Sequence, residues 1–137
     1  MNKGASFRVN EEAPRVLNYR FPREERLKGR DEIRKIFNER KSVSCAGARL
    51  LSLRNGLPHN RIAFTFSRKF GNAVKRNRSR RLSREVYRHL RNELRQGYDM
   101  VLLVYSGAGH GTEDRDTLQA RTDQLRELFS RAGLLKP

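Results

Sequence analysis

The chain has 137 residues, 36% of them hydrophobic, which is enough for one modest core with tails and too little for two domains. Lys and Arg number 31 against 15 Asp and Glu, and the resulting formal charge of +16 strains a compact state unless a polyanion relieves it. The single cysteine, Cys45, excludes an intrachain disulfide and a multi-cysteine metal site, and no stretch reaches the ~20 apolar residues of a membrane span. Nucleic acid is therefore the first partner to consider, an anionic membrane surface the second, and a merely soluble basic protein the third.

Residues 1–25 carry both charge signs, Pro14 and Pro22, and no period, so they read as an extension unless Phe7, Val9, Leu17 or Phe21 docks. The first residues lack the apolar centre of a secretory signal. Ile33, Ile36 and Phe37 predict a helix from Arg30 to Glu39, with Asp31 as its cap. Residues 50–53 and 61–67 predict strands around a loop rich in turn residues. In the second strand Ile62, Phe64 and Phe66 alternate with Arg61, Ala63, Thr65 and Ser67, so one face packs on the core and the other is open, small and polar. Gly71 punctuates the strand's end, and a long helix follows over 73–96, stopped by Gly97. The apolar run from Tyr98 to Tyr105 predicts a buried central strand. Past a glycine-rich loop, Thr112 or Asp114 is expected to cap a last helix with Leu118, Leu125, Leu128 and Phe129 facing inward. Helix, strands, helix, strand, helix make one α+β sandwich.

Function concentrates in the long helix. Residues 68–95 hold eleven basic side chains against Glu85 and Glu93, so over half of the excess charge sits in about a fifth of the chain. Leu82, Val86, Leu90 and Leu94 recur every four residues and predict the buried stripe. Arg76, Arg80, Arg84 and Arg88 recur in the same way, and Arg80 lies about 200° round the helix from Leu82. Arginines one turn apart repel each other, so a helix selected only for stability intersperses acids. Guanidinium groups grip phosphate bidentately and stack on bases. Asn72 and Asn77 add neutral donors and acceptors, and Gly71-Asn72-Ala73 sets a helix N-terminus where an anion is favoured.

Residues 67–85, SRKFGNAVKRNRSRRLSRE, closely resemble the signature of the bacterial ribonuclease P protein family: Ser, two basic residues, an apolar one, Gly-Asn-Ala-Val, Arg-Asn-Arg, then a basic residue, Leu and a further Arg. Weaker resemblance runs over residues 26–134 and leaves the N-terminal extension without a counterpart. The resemblance implies an α+β two-layer sandwich, a small mixed sheet with helices in αβββαβα order and a left-handed βαβ crossover, as in the second domain of a small-subunit ribosomal protein. General handedness rules would have favoured the opposite crossover. It also implies that the protein binds a large catalytic ribonuclease P RNA, and that together they remove the 5′ leader of precursor tRNA. The catalytic centre and its Mg2+ are expected in the RNA, with no cofactor or metal on the protein, no protein partner, and a cytoplasmic location.

Carried onto this sequence, the RNA-subunit contacts are Arg68, Lys69, Asn72, Lys75, Arg76, Asn77, Arg78, Arg80, Arg81, Arg84 and Arg88. The leader cleft takes Ile33, Phe37, Arg49, Leu51, Thr65 and Ser67. Ile33 stands where relatives often have phenylalanine, and Leu51 where some have tyrosine, which leaves Phe37 as the main aromatic platform. Tyr105 replaces an arginine common at that strand end.

A self-sufficient nuclease needs a histidine pair or a carboxylate cluster, whereas His59, His89 and His110 are scattered, and Glu113, Asp114 and Asp116 are more simply partners of a helix dipole. A ribosomal-type structural RNA binder shares the composition but not the Gly-Asn-Ala-Val and Arg-Asn-Arg segment. A DNA-recognition helix mixes Gln, Asn, Ser and Arg at its tip and does not spread arginines over four turns.

Overall fold

The computed structural model describes residues 21–39, 41–67, 70–105 and 117–137. In chain order they form α1 (Arg30–Glu39), β1 (Lys41–Cys45), β2 (Ala48–Arg54), β3 (Arg61–Phe66), α2 (Ala73–Leu90), β4 (Tyr98–Val104) and α3 (Leu118–Arg131). Single 3-10 turns stand at Arg23–Glu25 and Arg91–Glu93. The strands make one mixed sheet in the order β1-β2-β4-β3, with β1 and β4 both antiparallel to β2 and β3 parallel to β4. A parallel pair needs a crossover connection, and α2 supplies it. β1 is the strand that hydropathy did not locate. Its pattern Lys-Ser-Val-Ser-Cys alternates with Val43 as its one aliphatic residue, too short a signal to stand out, and the turn that pairs it with β2 uses Gly47 at φ 84°.

Both faces of the sheet are covered, which explains the continuous apolar run of β4. On one face Leu50, Ile62, Met100, Leu102 and Val104 pack against Val86, Tyr87 and Leu90 of α2 and Leu125, Leu128 and Phe129 of α3. On the other, Leu51, Ala63 and Val101 meet Leu27 and Ile36, so α1 shields the middle of the face expected to be open. The alternation in β3 holds: Ile62 belongs to the first cluster and Ala63 to the second. α2 and α3 run in the same direction, because Arg121 meets Ser79 and Ser83 while Phe129 meets Tyr87, with ring centroids 6.4 Å apart.

Several elements depart from the expected bounds. α2 stops at Leu90, not at 96, because the 3-10 turn after it swings Leu94 into the core. There Leu94 bridges Leu135, with Arg95 N donating to Leu134 O at 2.7 Å and Lys136 N to Glu93 O at 2.8 Å. The buried stripe of α2 is Ser79, Ser83, Val86, Tyr87 and Leu90, and Leu82 sits on its margin. A row at every fourth residue drifts round the helix by about 40° per step, so only alternate spacings of three and four stay on one face. Asp31 lies inside the first turn of α1, where Ile33 N already donates to Gly29 O. The cap of α3 is Thr117, whose Oγ1 accepts from Ala120 N at 3.1 Å; Thr112 and Asp114 lie outside the described residues. Leu118 is 51% exposed, and the inward position one turn later belongs to Arg121.

Residues 21–25, assigned from sequence to the extension, are part of the fold. Phe21 packs edge-on against Phe64 and Tyr87, at 6.0 and 5.5 Å. Glu25, nearly buried, forms an ion pair with Arg91, whose Nε donates to Glu25 Oε1 at 3.0 Å.

Candidate nucleic-acid interface

α2 is positioned from one side only. Ser79, Ser83, Val86, Tyr87 and Leu90 fix it to the sheet and α3. Asn77 and Arg81 each stand two residues from Ser79, about 200° round the helix, and face solvent together with Arg78 and Arg84. Among the described residues no carboxylate pairs with Arg78, Arg81 or Arg84. The row Arg76, Arg80, Arg84, Arg88 does not lie opposite the buried stripe as expected; it winds along the flank of the helix that faces β3. Arg80 lies over Phe66 at 5.2 Å from the ring centroid and Arg84 over Phe21 at 6.0 Å. Arg88 holds Glu85 through Nη2 at 2.8 and 2.9 Å. The Arg84 guanidinium sits below its ordinary pKa, first because burial penalises its charge and then because Arg26 and Arg80 stand close by.

The entry to α2 is specific too. Asn72 caps the helix, its Oδ1 accepting from Lys75 N at 3.0 Å. Gly71 has φ 149°, and a Cβ there would stand 2.9 Å from Lys75 Cδ, so the turn requires glycine. Asn77 turns its Oδ1 to Arg80 Nη1 at 2.9 Å, and Val74 stands 69% exposed among these polar groups. Arg68 and Lys69 lie outside the described residues, as do His110, Glu113, Asp114 and Asp116. His59 sits in the β2–β3 loop against Glu24 O, and His89 is paired with Glu85.

The second surface is the part of the α1 face that α1 leaves uncovered. Strand register places Ser44, Arg49, Leu103 and Thr65 in one row across the sheet. The parallel row Ser42, Leu51, Val101, Ala63 runs beside it, under α1. Leu51 is only 1% exposed, so it supports the floor and is not a contact surface. Phe37 is 38% exposed at the rim, while Ile33 is half-buried against the Ile36 cluster. Thr65 Oγ1 donates to Leu102 O at 3.3 Å, and Ser67 N to Val104 O at 3.0 Å. Arg49 Nε is buried with no hydrogen-bond partner among the described residues, leaving a donor at the floor. Leu103 and Ser44 were not singled out from sequence. Reading β4 at period two from Asp99 would have found Leu103, but its continuous apolar run hides the alternation.

One buried arginine was missed entirely. Arg121 is 2% exposed between α2 and α3, with Nη1 on Ser79 Oγ at 3.1 Å and Ser83 Oγ at 2.6 Å. It explains why α2 carries serines where a helix interface ordinarily carries aliphatics: short hydroxyls leave room for the guanidinium and accept hydrogen bonds from its Nη1.

Fold and surface together define a small, basic α+β protein whose crossover helix presents exposed arginines on its outer face. The Ribonuclease P family model matches residues 21–133, and the chain belongs to that family. The ribonuclease P protein component of Dictyoglomus thermophilum is 33% identical over 118 residues, covering 86% of this chain and 96% of the relative. That of Dictyoglomus turgidum is 34% identical over the same length, covering 86% and 97%. The solved ribonuclease P protein of Thermotoga maritima superposes with a TM-score of 0.66 at 26% identity, covering 78% of this chain and 96% of that one. A Staphylococcus aureus ribonuclease P protein mutant, described as defective in mRNA degradation activity, shares the fold with a TM-score of 0.71 at 21% identity, covering 82% and 91%. The chain is thus a subunit of a ribonucleoprotein that processes tRNA. Among the described residues no helix is long and apolar enough to cross a membrane.

Proposed function

We propose that the outer face of α2 binds the ribonuclease P RNA and that the uncovered row beside α1 receives the 5′ leader of precursor tRNA. One observation carries the proposal: Arg78 and Arg81 stand exposed, with no acidic partner among the described residues, on a helix whose opposite face is locked into the core. Such charges are returned to neutrality by phosphates, with release of counterions. Phe37 at the rim offers a stacking surface, and Thr65, Ser67 and Arg49 offer polar groups to an extended single strand.

The chemistry of cleavage belongs to the RNA in this reading. Among the described residues no three His, Cys, Asp or Glu side chains gather as metal ligands, so no hydrolytic step is assigned to them. Mg2+ would be held by the RNA and would supply the water-activating chemistry of hydrolysis. The protein binds, aligns the leader and screens phosphate repulsion, and the reaction takes place in the cytoplasm with precursor tRNA as substrate.

The experiment is precursor-tRNA cleavage at low Mg2+, with protein alone, with a bacterial ribonuclease P RNA alone, and with both. The expected result is no cleavage by the protein, and accurate leader removal by the pair where the RNA alone fails. Tight binding to structured RNA without any gain in cleavage would move the chain to a purely structural role.

A further inference from the structure

The segment before α1 brings a third arginine to the two that α2 lays along β3. Leu27 N donates to Ile62 O at 3.0 Å and Arg26 bridges Ile62, so this strap is stitched to the edge strand β3. The Glu25–Arg91 ion pair ties it to the end of α2. Between these anchors Phe21 is wedged against Phe64 and Tyr87. Two guanidiniums share the Phe21 ring: Arg26 at 5.3 Å from its centroid and Arg84 at 6.0 Å. Arg80 follows one turn earlier on α2, seated on Phe66, which is braced by Phe70 at 4.8 Å. Arg26 is also held by its own strap, Nη2 donating to Phe21 O at 3.1 Å.

None of the three is neutralised among the described residues. The acids on the two elements that make ion pairs make them elsewhere, Glu25 with Arg91 and Glu85 with Arg88 and His89. Arg84 feels the positive charges of both Arg26 and Arg80. Three guanidiniums held on two rings, with no counter-charge among the described residues, suit an anion receptor: the rings fix the planar forks while leaving N–H edges for oxygen acceptors.

We infer that Arg26, Arg80 and Arg84 form one subsite, cradled by Phe21 and Phe66, that grips a backbone phosphate of the RNA subunit. The inference rests on the RNA reading of α2 and extends it to a residue more than forty positions upstream of the arginine-rich segment. It also gives the strap a function: docking Phe21 is what brings Arg26 to the helix.

The test uses the full chain and ribonuclease P RNA, with Kd measured over a salt series and thermal melting followed in parallel. Arg26→Gln is expected to weaken binding about tenfold, the size of one lost charge-assisted contact. Arg26→Lys, which restores the charge, is expected to recover most of that loss. Arg26→Gln combined with Arg84→Gln is expected to lose several-fold less than the product of the single effects, because both serve one phosphate. Wild-type affinity and salt slope in Arg26→Gln would overturn the subsite. So would a loss that Arg26→Lys fails to recover while the melting temperature falls, since Arg26 would then act only by holding the strap. Arg81→Gln separates the two levels: if it weakens binding and Arg26→Gln does not, only the subsite falls, and if neither does, the RNA reading of α2 falls with it.

Discussion

Arginine does two different jobs at the two ends of α2. Where α2 ends and β3 and β4 begin, the guanidiniums are paired. Arg61 makes two hydrogen bonds to Asp99, at 2.8 and 2.6 Å, and reaches Glu32 at 3.0 Å, and Arg91 is clasped by Glu25. Asp99 also accepts from Asn55 at 2.9 Å, which ties the β2–β3 loop to the same network. Arg78 and Arg81 on the outer face of the helix, and Arg84 on its flank, have no such partners among the described residues. The difference is not one of residue type but of what the neighbouring strands and turns bring up. Acids pair with arginines at the end that is locked into the fold and, among the described residues, not with Arg78 and Arg81 on the face proposed to bind RNA. The paired end holds the helix still so that the unpaired face is presented as a rigid array, and rigidity lowers the ordering cost of binding.

The largest effect is therefore expected at the paired end, and on stability. Glu25→Ala leaves Arg91 nearly buried without its carboxylate, a change that costs about 3 kcal/mol. Chemical denaturation should show it as a lower midpoint with little change in slope. Should the midpoint stay put, the pairing is not what anchors the strap and the end of α2. The converse holds on the outer face. Arg78→Ala and Arg81→Ala are each expected to leave the midpoint within about 0.5 kcal/mol, as exposed substitutions do. Each should nevertheless weaken RNA binding about tenfold and reduce its salt dependence. A variant there that unfolds the protein while RNA affinity is kept would merge the two ends into one structural array.

A smaller effect is expected in the cleft. Phe37→Ala removes the exposed ring at its rim, and a stacked base contributes about 1 kcal/mol. Leader-bearing precursor should lose several-fold in affinity and mature tRNA almost nothing. Equal losses would take Phe37 out of the leader path and leave the row Arg49, Leu103, Thr65 to carry it.

Much of this was legible before the fold was known. The amphipathic pattern of α1, the period-two strand β3 and the apolar run of β4 are strong local signals, and the spread of arginines with few acids singled out α2 as the candidate binding element. What stayed hidden depends on long-range partners. Nothing local says that Leu94 leaves the helix, because its reason for doing so is Leu135 at the other end of the chain. The two serines of the buried stripe look like surface residues until Arg121 is seen between them. Phe21 reads as part of a tail because the pocket that takes it is made by Phe64 and Tyr87, far along the sequence. The row of arginines at every fourth residue was visible, but its place on the helix was set by the drift of that spacing relative to the true stripe.

The border between paired and unpaired arginines runs through Glu85, the one acid within α2, and the smallest effect should arise there. Its carboxylate takes hydrogen bonds from Arg88 at 2.8 Å and meets His89 at 3.0 Å. The Arg88 bond, and after it the His89 bond, hold it below its ordinary value of 4.5. A carboxyl depressed in the folded state stabilises the fold above that ordinary value, and the contribution is lost as pH falls through the lower, folded value. Thermal melting of wild type against Glu85→Gln should therefore show a small advantage for wild type near neutral pH that closes on acidification below 4.5. The pair is half-exposed, so added salt should shrink the advantage as well. RNA binding should move the other way. With Glu85 neutral, Arg88 is released to the helix's outer field, and affinity at neutral pH should rise slightly. If Glu85→Gln weakens RNA binding instead, Arg88 contacts RNA only when Glu85 orients it, and the paired class extends one turn further along α2 than the ion pairs alone suggest.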